Sequence, residues 1–201
     1  NCEKNLTELV YSMVKNHTII FDRENKKYVL NNSCIQNTIE RSYGFEHIAI
    51  KQKKNICQSR LDVNINSEII KGVYRPIPLI AANMSTVVNA DFCKQLYKLG
   101  ALGILHRADT KENILKDVAS VASECDLVAA SVGVDKDQFE FAKELIRNKC
   151  NIIVIDIAHG YSDYVLDLGR KIKSFSKDVK VIIGNCTNTD ILEECGDFAD
   201  A

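Results

Sequence analysis

The string IDIAHGYS at 155–162 sets one aspartate at the end of an apolar run and follows it with small residues. A carboxylate in that place can accept two hydroxyl hydrogen bonds, so Asp156 has the chemistry to anchor a ribose diol. Ala158 and Gly160 keep side-chain bulk away, which lets a flat ring approach the backbone, and Gly160 is free to supply a positive φ. Other apolar runs end in comparable residues. Asn83 and Met84 follow PIPLIAA (76–82), His106 and Arg107 close ALGILH (101–106), Ser131 and Gly133 close DLVAASV (126–132), and Asn185 closes KVIIGN (180–185). Each has a plain structural alternative. Asn83 and Asn185 suit turns, His106 suits a satisfied core position, and Asp156 could cap the helix that follows, although Ser162 is better placed for that. These alternatives have no common cause, whereas polar groups gathered on one rim of a sheet would have one.

The eight cysteines, at 2, 34, 57, 93, 125, 150, 186 and 195, form no C-x-x-C pair and no zinc spacing, so no metal site is expected. Most lie within apolar segments and read as reduced, buried thiols of a cytoplasmic protein. The chain has 201 residues, 46% hydrophobic and 26% charged, with a net charge of −1. That is enough apolar material for a sizeable core, and the charge balance gives no case for binding nucleic acid or an anionic membrane. No apolar run approaches the ~18 residues of a membrane span. The first residues do not read as a basic-then-apolar signal segment, and the chain does not begin with Met, as processing or truncation would leave it.

The elements that must position these residues follow from periodicity. In 3–15, Leu6, Leu9, Val10, Met13 and Val14 repeat at helical spacing, and 18–30 reads as two short strands around a polar turn. From about residue 73 the five apolar runs, the fourth being NIIVIDI (151–157), recur at intervals of about 25 residues, as strands buried on both faces. Amphipathic helices are expected between them at 111–124, 136–148 and 163–175, with Asp135 and Gln138 as a capping box for the second. The βαβαβαβαβ rhythm predicts an α/β parallel sheet. The first strand has no G-x-G-x-x-G after it, which disfavours a doubly wound nucleotide fold. The even repeat fits a (β/α)8 TIM barrel, here an incomplete N-terminal portion with about five strands, since such barrels typically need ~250 residues. A five-stranded open sheet is the alternative.

AANMSTV (81–87), LGILHR (102–107), ASVGV (130–134), IDIAHGYS (155–162) and VIIGNCTN (181–188) resemble, in order and spacing, the motifs of the IMP dehydrogenase/GMP reductase family. GFEHIAIKQKKNICQSRLDVN (44–64) is similar to that family's N-terminal segment. The resemblance divides the chain into an N-terminal extension of unknown role, 1–43, and a partial barrel domain, 44–201. It implies a (β/α)8 barrel, assembled as a homotetramer when complete, that transfers hydride between a nicotinamide cofactor and a purine nucleotide. The stretch 108–125 holds one helix where dehydrogenases usually insert regulatory modules, and the motifs look most like bacterial-type reductases. The activity implied is NADPH-dependent reductive deamination of GMP to IMP and ammonia. The alternatives are oxidation of IMP to XMP with NAD, and a non-catalytic partial barrel that binds or regulates.

Carried over position by position, the resemblance implies that Asp156, Ile157 and Ala158 sit where reductases contact the nicotinamide half of NADP(H). Ser59 and Arg60 match the pair that a neighbouring subunit offers to the cofactor. Arg107 stands where some reductases have lysine and could meet a phosphate or the departing ammonia. Met84 matches the family's methionine packed near the purine, and Gly184 and Asn185 match its strand-five turn beside the site, which makes Met84 and Asn185 the expected substrate-binding residues. Ser85, His47 and Lys51 depart from the family pattern. The family's nucleophilic cysteine belongs to a loop after strand six, and no cysteine here matches it. Cys186 and Cys195 read as packing residues, so the chain by itself is expected to be inactive.

Overall fold

The computed structural model describes residues 19–22, 27–30, 44–54 and 56–201. The helix expected at 3–15 lies outside them. The chain divides between Ile56 and Cys57, and each part is taken by itself. In the first part, β1 (Ile19–Asp22) and β2 (Lys27–Leu30) pair antiparallel with Ile19 opposite Leu30 and Asp22 opposite Lys27, which are the two short strands expected there. A 3-10 turn follows at Phe45–His47, where Gly44 N donates to His47 Nδ1 at 2.9 Å.

The second part opens with a 3-10 turn, Arg60–Asp62, and a hairpin of β3 (Ser67–Ile70) and β4 (Val73–Arg75). The main run is β5 (Ile80–Ala81), α1 (Ala90–Leu99), β6 (Leu102–Leu105), α2 (Lys111–Ala122), β7 (Ala129–Val132), α3 (Gln138–Arg147), β8 (Ile152–Ile155), α4 (Asp163–Phe175), β9 (Lys180–Ile183) and α5 (Ile191–Cys195). Strands β5 to β9 form one parallel sheet in the order of the sequence. All five expected strands are present, but the first is short, because Pro76 and Pro78 offer no N–H to the ladder.

Alternate strand residues face opposite ways. Leu105, Ala130, Val132, Ile153, Ile155 and Val181 pack with Cys93, Val118, Leu145, Val165 and Ile172 of α1 to α4. On the other face Leu102, Ile104, Ala129, Ile152 and Val154 pack with Ile70 and Val73 of the hairpin. Sequential strand order with crossovers of one hand keeps every helix on one face. A doubly wound sheet reverses its order and covers both faces with helices. The fold is therefore α/β with five parallel strands, compatible with part of a TIM barrel.

The hairpin closes the end of the sheet where the strands begin. Arg75 donates to Tyr97 O at 2.6 Å and to Ala101 O at 3.2 Å, with its guanidinium 4.6 Å from the Tyr97 ring centre. Helix α1 takes the place of the first helix in the alternating rhythm, although its sequence marks no bounds because its buried face is only Ala90, Cys93 and Leu96. Its ends are well made: the Asn89 side chain accepts from Phe92 N at 2.8 Å, and Gly100 takes φ +90° after the last turn. The capping box expected before α3 differs. Gln138 reaches back past Asp135, and its Oε1 accepts from Gly133 N at 3.0 Å.

Beyond α5 the chain returns alongside β9, where Asp200 N donates to Val181 O at 2.8 Å and Ile183 N to Ala201 O at 3.0 Å. This is the place of a sixth strand. The Asp200 side chain, 7% exposed, accepts from Lys173 Nζ at 2.7 Å and Val181 N at 3.0 Å, with Lys180 Nζ at 3.4 Å. Burial pushes this carboxyl up, but Lys173, the Val181 amide and Lys180 outweigh it and hold it below the usual carboxylate value. A depressed carboxylate contributes stability above its unfolded pKa and loses it as pH falls through the folded one. In the full-length protein, Asp200→Asn is expected to cost about 2 kcal/mol at neutral pH, the scale of hydrogen bonds to a charged group. Denaturant titrations of the variant and the parent should converge as pH drops below about 4. A gap that persists at low pH would show that the carboxylate charge is not what matters. Among the described residues, no helix is long and apolar enough to cross a membrane.

Candidate functional site

One residue past each central strand, the face opposite the helices carries His106, Gly133, Asp156 and Gly184, which continue the alternation of Ile104, Ser131, Val154 and Ile182. Val132 pairs with Ile155 and Ile155 with Ile183, so the register sets Gly133, Asp156 and Gly184 side by side. Asp156 is thus the one side chain in a row of three, flanked by glycines. A Cβ on Gly184 would meet nothing within 4 Å, and a Cβ on Gly133 would meet the Arg107 guanidinium at 3.5 Å. Arg107 Nε lies 3.5 Å from Asp156 Oδ2, and the two side chains are 45% and 35% exposed. The pair spans the ends of β6 and β8 across Gly133, within reach of solvent.

The loop after β8 is tied to the turn after β9. Asn185 takes φ +57°, in the left-handed region that Asn tolerates better than most residues. Its Nδ2 donates to Ile157 O at 2.7 Å, and its carbonyl accepts from Gly160 N at 3.2 Å. Gly160 has no positive φ, contrary to the sequence expectation; among the described glycines only Gly72 and Gly100 do. Its reason is space. A Cβ there would sit 1.8 Å from Gly184 O and 2.6 Å from Cys186 Sγ. The room at Gly160 is filled by the neighbouring turn, and the open side of the row is at Gly184.

Arg107, Asp156, Ile157 and Asn185 are therefore brought together. Ala158 is exposed on the same loop, and Met84 is 56% exposed in the turn after β5, where its carbonyl accepts from Val87 N and Val88 N. Ser59 and Arg60 make their bonds within their own turn: Ser59 Oγ accepts from Leu61 N at 3.2 Å, and the exposed Arg60 accepts from Val63 N at 3.4 Å through its carbonyl. Among the described contacts, none joins Met84, Ser59 or Arg60 to the Arg107–Asp156 pair. Two other rim residues are satisfied locally. The fully buried Ser131 donates to Leu105 O at 2.8 Å, and His106 Nδ1 accepts from Ala108 N at 3.2 Å.

Sequence reasoning missed the link between Tyr161 and α5. Tyr161 Oη donates to Glu194 Oε1 at 2.5 Å, and the Glu194 carboxylate pushes the phenol up to about 12. Nothing in the spacing of Tyr161 and Glu194 marks it. Cys186 is half-buried and Cys195 buried, as packing residues should be, and burial, then the neighbouring Cys195, pushes the Cys186 thiol up. Deep burial likewise raises Cys150 to about 12.

A nicotinamide nucleotide offers hydroxyls, phosphates and a flat ring. The rim has a half-exposed carboxylate, a guanidinium and glycine-lined space beside them, so the donor set fits such a group.

The model of the IMP dehydrogenase / GMP reductase domain matches residues 42–199. The GMP reductase of Streptococcus pyogenes serotype M5 (strain Manfredo) is 32% identical over 153 residues, which are 76% of this chain and 46% of that protein. The GMP reductase of serotype M12 (strain MGAS2096) gives the same figures. The chain spans about half the length of these curated relatives. With the domain match covering residues 42–199, more than half of the chain, the chain belongs to the IMP dehydrogenase/GMP reductase family.

Proposed function

We propose that the protein containing this chain is a purine-nucleotide oxidoreductase that reductively deaminates GMP to IMP and ammonia with NADPH. The observation that carries this reading is the row Gly133, Asp156, Gly184 with Arg107 paired to its carboxylate. The names of the relatives support the choice of reductase over dehydrogenase.

In this reading Asp156 accepts hydrogen bonds from ribose hydroxyls of the cofactor, and its charge is kept in place by Arg107. Ile157 sends its side chain into the helix-side core, which leaves its backbone and Ala158 to face the ring. Arg107, while paired with Asp156, is the rim cation assigned to meet a phosphate or the amine that leaves. Met84 lies against the purine. Gly184 and Asn185 shape the turn beside the nucleotide, with the Asn185 amide committed to the Ile157 carbonyl. Ser59 and Arg60 serve a neighbouring subunit of a homotetramer. The cofactor, when bound, supplies hydride. Cys186 and Cys195 are not proposed as nucleophiles. Residues 1–43 are read as an extension and 44–201 as part of the barrel of a cytoplasmic enzyme.

The test is absorbance at the nicotinamide band with the full-length protein, GMP plus NADPH in one cuvette and IMP plus NAD in the other. The expected result is a fall with GMP, accompanied by stoichiometric ammonia. A rise with IMP would make the protein a dehydrogenase. No change in either, with folded protein, would leave a binding or regulatory barrel.

A further inference from the structure

The stretch between Asp156 and Gly160 is held by little. Asp156 N donates to Val132 O at 2.8 Å and so ends the ladder, and Gly160 N donates to Asn185 O at 3.2 Å. Between them the Ile157 carbonyl accepts from Asn185 Nδ2 at 2.7 Å, and among the described residues it has no other donor. One residue therefore grips the loop at both ends of its exposed part. It does so because φ +57° turns its main-chain carbonyl toward Gly160 while its side chain reaches Ile157. Glycine would adopt that φ more cheaply but could not reach Ile157. Further along, Tyr161 is anchored to Glu194, whose own carbonyl accepts from Arg170 Nη2 at 2.8 Å.

We infer that Asn185 is a positioning residue for the cofactor side of the site: its amide fixes the Ile157 peptide and thereby the backbone that carries Asp156 and Ala158. The Tyr161–Glu194 bond holds the far end of the same loop. This inference rests on the reading of Asp156 to Ala158 as the cofactor contact, but the clamp itself does not.

The conformational and hydrogen-bonding roles of Asn185 are separable. Asn185→Gly keeps the left-handed backbone and deletes the amide. Asn185→Asp keeps the shape but sets an acceptor against the Ile157 carbonyl. In the ligand-free full-length protein, both are expected to speed amide hydrogen exchange across 156–161 by roughly five- to tenfold, the scale of one lost hydrogen bond. Tyr161→Phe should speed exchange mainly after Gly160. Unchanged exchange in both Asn185 variants overturns the clamp. In steady-state kinetics with GMP and NADPH, KM for NADPH should rise by about tenfold. KM for GMP and the melting temperature should change little, a split that general loosening of the fold would not give. A rise confined to KM for GMP, with exchange unaltered, would make Asn185 a direct nucleotide ligand and overturn the inference. A wild-type protein inactive toward GMP would sink the reductase reading alone, because the exchange experiment still decides the clamp.

Discussion

Asp156→Asn in the full-length protein is expected to lower kcat/KM by roughly 10- to 150-fold with little loss of stability. The first figure is the 1.5–3 kcal/mol carried by hydrogen bonds to a charged group, converted at about 1.4 kcal/mol per decade. Asparagine keeps the size and one acceptor oxygen, so the change removes charge and one acceptor without opening a hole. The effect on the fold stays small because Arg107 and Asp156 are 45% and 35% exposed, and ion pairs that open to solvent are worth about 1 kcal/mol or less. An active site built on this carboxylate should therefore separate catalysis from folding. Arg107→Ala completes the test. If the pair acts as a unit, the double variant should lose less than the product of the single losses. A kcat/KM within twofold of wild type for Asp156→Asn would remove this residue from the site.

The parts of this arrangement that were legible in the sequence are those set by periodicity. Apolar runs at regular spacing favour a parallel sheet under helices, and they gave strands β6 to β9 and helices α2 to α4 close to their observed limits, while β5 is much shorter than its run. Strand ends then named Asp156, Arg107 and Asn185 as neighbours, because parallel strands in sequential order bring their C-terminal ends to one rim. Helix α1 and the β3–β4 hairpin were less visible, because α1 buries only alanine, cysteine and leucine and the hairpin turns on one Lys-Gly pair. The contacts that fix the loop were not legible at all. The Tyr161–Glu194 bond joins residues 33 positions apart, and the Asn185 side chain chooses Ile157 O only because of a backbone angle. Gly160 shows the limit of residue-type reasoning most directly. A glycine after a strand invites a conformational explanation, but the cause is the Gly184 carbonyl of the turn after β9 occupying the space of its missing Cβ.

That cause makes Gly160→Ala the most damaging small substitution at the rim. The added Cβ would be placed 1.8 Å from Gly184 O and 2.6 Å from Cys186 Sγ. A thiol can rotate away, but a main-chain carbonyl in the turn before Asn185 cannot do so without moving the turn. The methyl group can be admitted only by separating the β8 loop from the β9 turn, which breaks the Gly160 N to Asn185 O bond and strains the Asn185 to Ile157 bond beside it. The expected cost is about 3 kcal/mol, at the upper end of overpacking a filled site and with hydrogen bonds lost as well. Denaturant unfolding of the full-length protein measures it directly. Gly184→Ala is the matching control, since its Cβ would meet nothing within 4 Å. Stability should be unchanged there, while any ligand lying over Gly184 loses the space it needs and binds more weakly. Two glycine-to-alanine changes on adjacent strands should thus fail in opposite ways, one in folding and one in binding. If Gly160→Ala unfolds at the same denaturant concentration as wild type, the β8 loop is not packed on the β9 turn, and the placement of Asp156 that depends on that packing fails with it.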